Sequence, residues 1–98
     1  MTTSKLGNIP RFRLGRVVAT RGALQVLEQA QQQPQELLRR HARGDWGCVC
    51  PEDARENELS LEQGLRLLSA YMLSSGVKLW IITEADRSAT TLLLPEEY

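Results

Sequence analysis

The last third of the chain holds three β-rich runs, residues 66–73, 77–84 and 89–94, separated only by Ser74-Ser75-Gly76 and Ala85-Asp86-Arg87-Ser88. A crossover between parallel strands takes a dozen or more residues, so links this short demand antiparallel neighbours. The three runs therefore read as a β-meander turned at two hairpins. In the middle run Val77, Leu79 and Ile81 point one way, while Lys78, Trp80 and Ile82 point the other. Apolar bulk on both faces predicts helices on one side of the sheet. The other side would be partly covered, with a partner chain as a candidate cover.

Upstream the pattern turns helical. Thr20 is a candidate N-cap, because its hydroxyl can accept from the free amides of the next turn. Ala23, Leu24, Val26, Leu27 and Ala30 share one helical face, and the run fades in Gln31-Gln32-Gln33. Pro34 suits the first turn of a second helix, residues 34–43, that buries Leu37, Leu38 and Ala42. Gly44 supplies its left-handed stop, and Arg39, Arg40 and Arg43 complement the negative end of the helix dipole. Gly44-Asp45-Trp46-Gly47 reads as a tight turn. Pro51, Glu52 and Asp53 open a third, mostly polar surface helix that runs to about Gln63 and ends at Gly64.

Residues 13–19 read as a short strand at the sheet edge, with Leu14, Val17 and Val18 as its apolar content and Gly15 as its weak point. Residues 1–12, broken by Gly7, Asn8 and Pro10, read as a flexible N-terminal arm. The expected fold is α+β: a short N-terminal strand, two to three helices, then a three-stranded antiparallel β-meander, one domain over residues 13–98.

The 98 residues carry no apolar run near the roughly 20 needed to span a bilayer, and residues 1–8 lack a signal-peptide pattern. A cytoplasmic location is expected. Only Val49 separates Cys48 from Cys50, so a bridge between them would be strained, and free thiols suit a reducing compartment. With His41 as the sole histidine, no metal site and no cofactor are expected. Net charge is zero but polarised. Residues 1–50 hold eight basic and three acidic groups, residues 51–98 four and nine, and no acid precedes Glu28.

Four groups of residues could carry chemistry or binding. His41 with Glu84 could move protons while Arg87, Arg40 or Arg43 held a phosphate, as a toxin-like ribonuclease requires. The competing reading makes His41 a polar group at a helix C-terminus. Asp86 and Arg87 could form a partner-binding hairpin tip or simply satisfy their turn. Trp46 could be a stacking platform for a partner or a plug in the core. Lys5, Arg11, Arg13, Arg16 and Arg21 form a basic segment able to meet nucleic acid.

Certain stretches resemble a known family. They are Arg13-Leu14-Gly15-Arg16-Val17-Val18-Ala19-Thr20, His41-Ala42-Arg43-Gly44-Asp45-Trp46-Gly47, and residues 77–88 and 90–98. The family comprises small proteins encoded on bacterial plasmids and integrative elements, some labelled type I restriction endonuclease subunit M. The resemblance spans residues 11–98 and implies no established activity. An autonomous methylase is excluded on physical grounds: the chain has neither a Gly-rich turn after a strand nor an Asn-Pro-Pro-aromatic segment, and no room for a doubly wound sheet. The resemblance, the absence of a complete catalytic set and a sheet with apolar residues on both faces together lead to the expectation of a non-enzymatic accessory protein of a mobile element, modulating a host defence or regulatory complex. Its partner would be a protein, and a homodimer through the sheet or its edge is a further expectation.

Overall fold

The computed structural model describes residues 9–98, so the part of the expected arm before Ile9, including Lys5, lies outside the described residues. Thr20 adopts an extended conformation and its hydroxyl accepts from the Ala23 amide at 3.0 Å, starting helix α1 (Arg21–Ala30). That helix stops at Gln31, which takes the left-handed conformation with φ 56°. Pro34 then opens α2 (Pro34–Ala42) and Pro51 opens α3 (Pro51–Gln63), each at the first turn, where a missing amide costs nothing.

The meander is β2 (Leu67–Met72), β3 (Lys78–Thr83) and β4 (Ala89–Leu93), paired antiparallel in register Leu67↔Thr83 and Ile81↔Leu92. The expected first strand is shorter than residues 13–19: β1 spans Arg16–Ala19. Gly15 breaks it. Its φ is +66°, and a Cβ there would sit 2.4 Å from the Ser88 backbone, so only glycine lets the chain press against that hairpin. β1 joins β4 in parallel, giving one mixed sheet ordered β1-β4-β3-β2.

Alternation sorts the sheet into two faces. Tyr71, Leu73, Leu79, Ile81 and Leu92 face Ala23 and Leu27 of α1 and Leu37 of α2, and together form the core. On the other face Ile82 is buried and Trp80 half-buried, with the ring of Tyr98 edge-on to Trp80 at 5.8 Å. The chain's own C-terminus thus supplies part of that cover. Helix α3 is polar, as its sequence predicts, and buries only Asn57 and Ser60. No helix among the described residues is long and apolar enough to cross a membrane.

Arg11 and Phe12, expected in the arm, pack onto the domain. The Arg11 amide donates to the Ala42 carbonyl at 2.7 Å, and the Phe12 ring stacks on Trp46 with centroids 6.2 Å apart.

Candidate functional site

His41 ends up fully enclosed, with no exposed surface. Its Nδ1 lies 2.6 Å from the Ser69 hydroxyl and its Nε2 2.8 Å from that of Thr83. Thr83 in turn meets Thr90 at 2.7 Å, and the Thr90 hydroxyl donates to the Leu14 carbonyl at 2.7 Å. That last bond fixes every proton in the chain. A carbonyl only accepts, so the single proton of Thr90 is spent on Leu14. Thr83 must then donate to Thr90, His41 Nε2–H to Thr83, and Ser69 to Nδ1. Burial, with the positive charge of Arg87 adding to it, pushes the His41 pKa down to about 3, so the ring is neutral near pH 7.

Glu84 does not join this group. It follows Thr83 directly, so alternation sends its side chain to the opposite face, where Arg66 approaches to 4.0 Å. Both ring nitrogens of His41 are committed to hydroxyls and none faces a carboxylate. Arg87 is also engaged within the fold. Its guanidinium donates to the carbonyls of Leu65, Glu84, Ala85 and Ser60 at 2.7–3.1 Å, tying the hairpin to the end of α3. Asp86 accepts from the Ser88 amide at 3.0 Å, an Asx-type turn.

Trp46 is 6% exposed, its ring clustered with those of Phe12 and His41, which also meet each other edge-on. Its indole donates to Glu58 at 3.1 Å, and Glu58 also takes a bidentate pair from Arg11 at 2.7 and 3.0 Å. Those donors hold the Glu58 carboxyl below the usual range, the Arg11 hydrogen bonds first among the causes. Arg40 pairs with Asp45 at 2.7 Å and lies over the Tyr71 ring. Among the described residues no three of His, Cys, Asp and Glu are gathered so as to hold a metal ion.

The two edges of the sheet differ. At β2 the outward main-chain groups of Leu68 and Ala70 are taken. Asn57 donates to the Leu68 carbonyl at 2.7 Å and accepts from the Leu68 amide at 3.1 Å. Ala70 donates to the Trp46 carbonyl at 3.1 Å, and its carbonyl accepts from the Cys48 amide at 2.7 Å. At β1, Arg16 donates to Ser88 and Thr20 to Leu92. A parallel ladder spends every second residue on its neighbour, so Val17 and Ala19 turn their amides and carbonyls outward. No strand of the described residues pairs there. Val17 and Val18 are 43% and 41% exposed.

An apolar groove of about 450 Å³ lies at the N-terminal end of this open edge, between Pro10 and Leu14 on one side and Leu38 and Ala42 of α2 on the other. The edge and its groove form the candidate site. No family model, curated protein or solved structure matches this chain.

Of the residues singled out from sequence, the structure gathers His41 and Trp46 in the interior and leaves Arg13, Arg16 and Arg21 exposed around β1. Sequence reasoning assigned no role to Ser69, Thr83 or Thr90. Their signal was parity: each occupies the inward phase of a strand otherwise filled by Leu, Ile or Tyr. It also missed Asn57, whose signal was a buried-phase polar residue in a helix with little apolar content.

Proposed function

We propose that this protein is a non-catalytic interaction module that offers the outer edge of β1 to an extended segment of a partner protein. The observation that carries this reading is the contrast between the two edges. Along β2 the outward main-chain groups of Leu68 and Ala70 are taken by Asn57 and by the Trp46–Cys48 backbone, whereas those of Val17 and Ala19 meet no partner strand among the described residues. An open edge invites association, and one use of it is strand addition by an extended segment. The resemblance to plasmid and integrative-element proteins supports an accessory role in a mobile element, acting on a host defence or regulatory complex.

The test uses Val17→Pro. The Val17 amide points away from β4, so proline removes an outward donor and leaves the β1–β4 ladder intact. A peptide of alternating valine and threonine with neutral ends should shift the Val17 and Ala19 amide resonances and slow their exchange. In the proline variant, which has no amide at position 17, the Ala19 amide should show neither change. Resonance changes confined to other parts of the sheet would remove the proposal.

A further inference from the structure

The surroundings of β1 indicate what kind of segment it takes, on the premise that the edge is an acceptor. Arg13, Arg16, Arg21 and Arg39 are all exposed. Ion pairs join Arg11 to Glu58, Arg40 to Asp45 and Arg66 to Glu84, and none of those four arginines takes part in them. The nearby acids are few. Glu97 is held by the Thr20 hydroxyl and the Leu94 amide, Glu36 sits beside Arg39 and Arg40, and Asp86 serves its turn.

Arg16 and Arg21 flank the strand at its two ends, and Arg39 stands on the rim of the apolar groove. Leu14, which lines that groove, is two residues before Arg16, so no more than about 7 Å of chain separates groove from edge. A strand laid along β1 would therefore run between cations and end over apolar surface.

We infer that the accepted segment is acidic: an extended stretch of β-branched residues flanked by Asp or Glu, with one apolar side chain seated between Leu14 and Leu38. The carboxylates meet Arg16, Arg21 and Arg39 in charge-assisted hydrogen bonds, and the main chain meets Val17 and Ala19. Charge disfavours a second copy of this chain, since pairing β1 with its own mate sets Arg13, Arg16 and Arg21 of each copy against the other's. Phosphates could accept from the Val17 and Ala19 amides but carry no donor for their carbonyls, so a nucleic-acid strand would not complete the edge as a peptide does. The rings of Phe12 and Trp46, which could have stacked on bases, are packed against each other.

Two labelled peptides of alternating valine and threonine, one flanked by glutamates and one by lysines, test the inference on the full chain. The glutamate peptide should bind on the order of tenfold tighter at low salt, with the gap closing as salt rises. Arg16→Glu and Arg39→Glu, both at exposed positions, should erase that gap while thermal unfolding shows the fold intact. Val17→Pro should abolish binding of both peptides. Equal binding of the two, both lost in Val17→Pro, overturns the acidic segment and leaves the edge reading standing. Glutamate-peptide binding that survives Val17→Pro overturns both. Duplex DNA bound more tightly than either peptide, and equally by Val17→Pro, would assign the arginines to phosphate and overturn the inference. So would a dimer seen in sedimentation and lost in Val17→Pro, which would make a second copy the occupant.

Discussion

The side chain of Asn57 takes both main-chain groups of Leu68, donating to its carbonyl at 2.7 Å and accepting from its amide at 3.1 Å. One residue of α3 thereby does what a neighbouring strand would do for β2. Asn57→Leu keeps comparable bulk and leaves two polar groups without partners. It should cost about 2–4 kcal/mol in urea unfolding. Because the edge is then open, the variant should also associate with rising concentration in sedimentation. A loss of stability below about 0.5 kcal/mol would mean that water serves Leu68 equally well.

His41 makes stability depend on acid. Its folded pKa, about 3, lies below the usual 6.5, so the unfolded chain binds the proton more readily. The contribution is complete above pH 6.5 and is lost as pH falls from there toward 3. The slope is about 1.4 kcal/mol per pH unit, or roughly 2 kcal/mol by about pH 5. Chemical denaturation across that window should show this slope, and His41→Gln should flatten it. The same pH dependence in both proteins would assign the effect to other groups.

Gly47 approaches β2 more closely than any side chain allows. A Cβ there would lie 2.0 Å from the Ala70 carbonyl oxygen, at φ +76°. Gly64 has a similar φ, +69°, with nothing within 4 Å. Gly64→Ala should cost about 1 kcal/mol, the strain of the left-handed region alone. Gly47→Ala should cost several kcal/mol, because it also forces the Trp46–Cys48 segment off the edge. Thermal unfolding of the two variants gives the comparison directly.

Arg11, Trp46 and α3 meet at Glu58. Arg11 and Glu58 side chains are 43% and 50% exposed, so solvent screens their attraction. Glu58→Gln should lower stability by no more than about 1 kcal/mol, and less at high salt. The indole hydrogen bond can persist to the amide oxygen, so Trp46 emission should change little. A large emission change would show that the charge positions the ring.

Much of the architecture was legible from local signals. Thr20, Pro34 and Pro51 marked helix starts through the amides they satisfy or lack. The two short links around Ser74–Gly76 and Ala85–Ser88 imposed the meander. The candidate site was less legible. Arg13, Arg16 and Arg21 were read as a basic surface, but nothing near Val17 announced that its main chain would be left open. His41 drew attention as chemistry, yet its surroundings make it a structural link.

By itself the order of residues determined which segments are helix and which are strand, because caps, prolines, turn residues and alternation act over a few neighbours. Tertiary packing alone decided that β1 lies parallel to β4, that His41 connects Ser69 to Thr83, and that Thr90 reaches Leu14, 76 positions away. Such pairings carry no local marker. They follow from burying one apolar face of the sheet under α1 and α2 and then satisfying every polar group trapped there, which is a property of the whole assembled core.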